Sequence, residues 1–263
     1  TALEVSTVEG ALDVAGLGAV SLTSATSTSG NVDISGDGIA ANDIATGGDG
    51  TMSLLATNDI AVTNDVESVN GDLTITAGGN VTAGDVKATG TGDVIVDVGS
   101  FVGTNIVSTT GDVTLTLSST TNVSTVAELN GSTVTMTADG NDVTVTTSEA
   151  DAFILSGSAD MVLGDVSTNV INSNATGDIT ANEITAVNGS VEVVIITNAG
   201  NDTLTANDAT AAFTITAGDG DNVITLTDTA NASGVTTGAG DDTINMNDTD
   251  AAEITQVTTG AGD

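Results

Sequence analysis

The sequence predicts an all-β chain wound as a right-handed parallel β-helix, a β-solenoid of about 20 residues per coil and about 13 coils. Three observations lead there. A short alternating strand returns at a nearly constant interval, the apolar residues are small or β-branched with almost no aromatics, and proline is absent.

The interval is the strongest of the three. A turn residue followed by an alternating strand recurs at "GALDV" (10), "GNVDI" (30), "GTMSL" (50), "GDLTI" (71), "GDVIV" (92), "GDVTL" (111) and "GSTVTM" (131), in steps of 19 to 21 residues. The series continues through "ADAFIL" (150), "NVIN" (169), "GSVEVV" (189) and "TAAFTI" (210), and fades toward "AAEIT" (251). A second series with the same period runs behind it, as in "NDIAV" (58), "GNVTA" (79), "NDVTV" (141) and "GDNVITL" (220), and a third appears as "NDV" (64) and "GDV" (84, 164). Each period therefore holds up to three short strands separated by Gly, Asn and Asp turns. Strands that short keep a constant phase over so many periods only when each pairs with its equivalent one coil away, at about 4.8 Å.

Period-two alternation then assigns the faces. Leu73, Ile75, Val81 and Val86 point inward in one coil, and Val113, Leu115, Val123 and Val126 in another, while Thr, Ser, Asp and Lys point outward. A slip of one residue would turn every apolar side chain to water, so the pattern specifies its own register. The right hand follows from the crossover preference of parallel strands and from a period looser than a strict hexapeptide repeat. Lack of proline agrees with strands paired on both sides, where every N–H is needed. Phe101, Phe153 and Phe213 are read as core fillers, and Lys87 as an outward residue paired with an acid such as Asp85.

With 36 acidic residues against one cation, the formal charge is −35. Nucleic acid and anionic membrane surfaces are thereby excluded as partners, since both are bound through Lys and Arg; cations are the natural counterpart. No apolar run reaches the roughly 18 residues of a membrane-spanning helix, and with no cysteine there are neither disulfides nor thiolate metal sites. Without His or Cys no nucleophilic triad forms. Carboxylate pairs for glycoside hydrolysis are plentiful, but there is no Trp or Tyr to stack a sugar ring and no insertion long enough to wall a cleft. The expectation is a protein that is not an enzyme.

Toward the C-terminus the turns sharpen into "NAGNDTL", "TAGDGDNVI", "TTGAGDDTI" and "TTGAGD". These resemble the nonapeptide turns of the repeats-in-toxin family, and of calcium-dependent surface-layer proteins and adhesins. In that family glycines permit a tight turn whose carbonyl and Asp oxygens hold Ca²⁺ between coils. The resemblance implies metal positions at Asp202, Gly218, Asp219, Gly220, Asp221, Gly238, Gly240, Asp241, Asp242, Gly260, Gly262 and Asp263. Thr237 and Asn198 stand at the family's first glycine, Asn222 stands where the ligand Asp is expected, and the motif returns every 20 to 22 residues on one side only. Stacked carboxylates about 4.8 Å apart repel by about 1 kcal/mol per pair even in water, which gives cations a physical role apart from the resemblance. Asp, Asn and Gly also simply make good turns with solvated carboxylates. Upstream, "ADGNDV" at 138 is the best single cation candidate.

These observations lead us to expect residues 1–197 to be β-helix with loosely conforming turns, and 198–263 the same solenoid with calcium-type turns, a length of a longer periodic chain. The functional expectation is an extracellular, cell-surface structural protein: a secreted surface-layer or surface-filament component that assembles with itself and is stabilised by calcium. A stalk or ligand-binding segment of a large calcium-dependent adhesin is the alternative. Thr-x-Thr strands raise a third reading, an ice-binding threonine ladder, broken at Asp33, Ser53, Asp93 and Glu192.

Overall fold

The computed structural model describes residues 3–229, 234–247 and 256–262. The protein is an all-β parallel β-solenoid of about 12 turns with about 20 residues per turn, and no helix occurs among the described residues. The chain forms two compact units, Thr1–Thr135 and Met136–Asp263.

In the first unit the repeated strands stack in register. One strand face builds the inward columns Leu12–Val32–Met52–Leu73–Val94–Val113 and Val14–Ile34–Leu54–Ile75–Val96–Leu115, every step a parallel pairing. A second gives Ile39–Ile60–Val81–Phe101, and a third Ile44–Val66–Val86–Ile106–Leu129. Columns made mostly of aliphatics fill a narrow interior because each layer nearly repeats the shape of the last. Each fully buried Val, Leu or Ile contributes about 1.5–3 kcal/mol relative to exposure.

The second unit follows the same rule with longer strands, among them Val143–Gly157 and Met161–Ser173. Its columns include Val145–Leu163–Ala181–Leu204–Ile224 and Phe153–Ile171–Ile195–Ile215–Val235. Phe101, Phe153 and Phe213 are fully buried, as core fillers should be. Lys87 Nζ lies 3.7 Å from Asp85, and also 3.6 Å from Asp65 and 4.0 Å from Glu67.

One inward assignment is wrong. Val123 is 51% exposed, whereas Ser124 is 2% exposed and Val126 is buried. Residues three apart cannot share a face of an extended strand. The strand begins at Ser124, whose Oγ accepts the Phe101 N–H at 3.1 Å, and this bond fixes the register that turns Val123 out. The outward column also differs in detail. It reads Asp13–Asp33–Ser53–Thr74–Ile95–Thr114, so the break expected at Asp93 falls at Ile95. In the second unit the outward position reads Val194–Thr214–Gly234, and no continuous threonine ladder forms at either place.

Candidate functional site: a stacked turn column

The sharpened turns span residues 197–202, 217–222 and 237–242, between strands held in register by Ile196↔Thr216↔Thr236 before them and Thr203↔Val223↔Thr243 after them. Equal length and fixed ends stack the turns position by position. Gly200, Gly220 and Gly240 share a left-handed backbone, with φ of 125°, 130° and 144°. A Cβ on Gly220 would lie 2.1 Å from the Gly200 carbonyl oxygen, so both the conformation and the close approach demand glycine. Gly260 and Gly262 stack as tightly, since a Cβ would meet the carbonyl oxygens of Gly238 at 1.9 Å and Gly240 at 1.8 Å. Asp263 lies outside the described residues.

Two side-chain columns run along this stack. The inner one is Asp202–Asn222–Asp242, with Asp202 1% and Asn222 0% exposed. Each Oδ1 accepts a backbone N–H from the preceding coil: Asp202 from Ile179 at 2.9 Å, Asn222 from Asp202 at 3.1 Å, Asp242 from Asn222 at 3.1 Å. The Asn222 side-chain amide donates to the Gly218 and Gly220 carbonyls, both at 3.0 Å, and to Asp242 Oδ1 at 2.9 Å. The outer column works in the opposite direction. Oδ1 of Asp160, Asp178, Asn201 and Asp221 accepts the N–H of Asp178, Asn201, Asp221 and Asp241 in turn, at 2.7–2.9 Å. Asp219 accepts the Ala239 N–H at 2.9 Å, and the Gly238 N–H donates to the Gly218 carbonyl at 3.2 Å.

Turn acids in the first unit do the same work. Asp59, Asp65, Asp72, Asp93 and Asp112 each accept a backbone N–H one coil further on, at 2.7–3.2 Å. Much of the acidity thus serves to satisfy backbone donors that the turns leave without a ladder partner. Near 138, Asp139 and Asp142 are both exposed.

The inner column is electrostatically uneven. Burial pushes the Asp202 carboxyl above the ordinary carboxylate value, against the pull of the nearby Thr197 hydroxyl and the Ile179 N–H; Asp178 adds to the rise. At Asp242 burial also acts upward, but the adjacent Thr237 hydroxyl and two hydrogen bonds from Asn222 outweigh it, and the carboxyl titrates low. The Thr197 and Thr237 hydroxyls act on these carboxyls from nearby but make no hydrogen bond of ordinary geometry.

The fit to calcium differs by level. Asp202 Oδ2 and Thr197 Oγ1 are both buried without a hydrogen-bond partner, and orphaned hard oxygens suit Ca²⁺. At the next level the converging oxygens already have a donor in the Asn222 amide. Asp219, Asp221 and Asp241 are exposed, and among the described residues no three acidic side chains come together as a metal-holding group. Sequence reasoning named the acids but not the role of Asn222. It also missed the buried hydroxyls Ser27, Thr46, Ser68 and Ser108 at a corner of the first unit. Their one signal was a Ser or Thr returning with the period where an apolar residue would fit.

No protein-family model matches the chain, and no match to a curated protein or to a solved structure was found.

Proposed function

We propose that this chain is a structural segment of an extracellular assembly, a surface layer or surface filament built by association with further copies of itself. The observation that carries this reading is the in-register stacking of parallel strands and turns within each unit, with register shifts at Leu3/Glu4 and Ala181/Ile184. A net charge of −35 supports it, because it keeps such a surface soluble and makes association responsive to cations. So does the near absence of Lys and Arg, which leaves trypsin-like proteases one cleavage site, at Lys87. No helix among the described residues is long and apolar enough to cross a membrane.

Calcium enters this proposal at the level of Asp202, where Asp202 Oδ2 and Thr197 Oγ1 would hold it. Bound there, it would supply positive charge to a buried carboxylate and tie a turn to its neighbours. Electron microscopy of the purified chain with calcium and with chelator tests the function. A lattice or fibre that calcium promotes is the expected result. Dispersed monomers under both conditions would overturn the assembly reading and favour the adhesin stalk.

A further inference from the structure

The Asn222 side chain presents a problem of orientation that its neighbours solve. One of its two terminal atoms receives the Asp202 N–H at 3.1 Å. A backbone N–H only donates, so that atom must be Oδ1, and the other is the NH₂ group. Around that group stand only acceptors: the Gly218 carbonyl, the Gly220 carbonyl and Asp242 Oδ1, at 2.9–3.0 Å. Three oxygens, one of them carboxylate, converging on a buried point is the environment of a bound cation. Here the point is taken by an amide nitrogen carrying two hydrogens with partial positive charge.

Register shows what the alternative would be. Asp202 takes the same place one coil earlier and makes the same Oδ1 bond to a backbone N–H, but where Asn222 has NH₂ it has Oδ2, buried and without a partner. A nitrogen in place of an oxygen, with Ala217 in place of Thr197 beside it, separates a level that satisfies itself from a level that does not.

We propose that the Asn222 side-chain amide is a built-in cation surrogate, closing the 217–222 turn without metal and setting which levels of the Asp202–Asn222–Asp242 column can take up a divalent cation. The proposal rests on the calcium reading above only for the choice of ion. Its consequence is that the Asp/Asn choice at this inner position sets the ion stoichiometry of the column. An Asn level is rigid at any calcium concentration, and an Asp level is conditional on it.

Asn222→Asp in the full chain tests this, with Ca²⁺ alone as the probe, by calorimetric titration and by thermal unfolding in chelator and in calcium. The variant is expected to bind one more Ca²⁺ per chain than the wild type, to melt several degrees lower in chelator and to recover on adding calcium. In the wild type, the Asn222 NH₂ protons are expected to be protected from exchange both in chelator and in calcium. A folded variant with no extra equivalent and an unchanged melting temperature overturns the proposal. So do wild-type NH₂ protons that exchange freely in chelator or lose protection as calcium is added, and this second measurement decides the matter if the variant does not fold. Should the wild type bind no calcium while Asn222→Asp gains one ion, the calcium reading of the native column fails and the surrogate role of Asn222 stands.

Discussion

The two units close an inner corner of the coil with different chemistry. In the first, hydroxyls do it. Ser27, Thr46, Ser68 and Ser108 are buried; Ser27, Thr46 and Ser108 donate to the carbonyl of the glycine that opens their own coil, Gly10, Gly30 and Gly92, at 3.3, 2.6 and 2.7 Å, while Ser68 donates to the Gly71 carbonyl of the next turn at 2.5 Å. Two of them also accept an N–H from the next turn, Gly30 to Ser27 and Gly111 to Ser108, both at 2.9 Å. In the second, Asp202, Asn222 and Asp242 occupy the stacked turns. A hydroxyl both donates and accepts, so a hydroxyl level closes without an ion, as Ser27 and Ser108 do, although Ala88 interrupts the column between Ser68 and Ser108. A carboxylate only accepts, so a buried carboxylate oxygen that no N–H reaches, such as Asp202 Oδ2, needs a donor or a cation. Under the calcium role proposed above, the Asp202 level of the second unit is where stability would respond to dissolved cations.

The largest effect should come from removing the side-chain amide of the Asp202–Asn222–Asp242 column. Asn222→Ala strips partners from the Gly218 and Gly220 carbonyls and from the Asp202 N–H, and should cost roughly 3 kcal/mol, read as a lower midpoint in denaturant. Ser108→Ala tests the hydroxyl corner in the same way. It leaves the Gly92 carbonyl and the Gly111 N–H unpaired and should cost about 1–2 kcal/mol, with no dependence on calcium. If the two losses are equal and equally indifferent to ions, the contrast between the corners has no energetic content.

The smallest effect sharpens the comparison through pH. Asp208 accepts from the Thr210 N–H at 2.8 Å, the Thr210 hydroxyl at 2.7 Å and the Ala186 N–H at 3.1 Å. Burial tends to raise its pKa, but these bonds prevail and hold it low. A carboxyl with a depressed folded pKa contributes stability that is present above its unfolded value, near 4, and is lost as pH falls through the folded value. Asp208→Asn should therefore lose less stability than the wild type on acidification below about pH 4, by under about 1 kcal/mol because the group is half exposed. Parallel melting curves for variant and wild type would indicate that the bonds to Asp208 are not formed in solution.

Legibility in the sequence followed periodicity. The columns through Leu73 and Ile75, or Val113 and Leu115, were readable because alternation and a period near 20 residues leave only one register that buries them. Val123 was misread for want of that rule, since its spacing from Val126 is odd and only the bond between Ser124 and Phe101 reveals which residue turns inward. In the turn column the glycines were legible, because a left-handed backbone in close stacking admits little else. The acids were legible as residue types and not as roles. Asp219 and Asp221 look like ligands on paper, yet each accepts a backbone N–H from the coil that follows.

By itself, then, the sequence determined the winding: a parallel β-solenoid follows from strand alternation, turn residues and a constant repeat length, which are local properties multiplied by periodicity. Only the tertiary structure decided what each turn residue does. The partner of an Asp or Asn lies about 20 residues away along the chain, in the adjacent coil, and whether its second terminal atom meets donors, acceptors or nothing depends on stacking that no single coil contains.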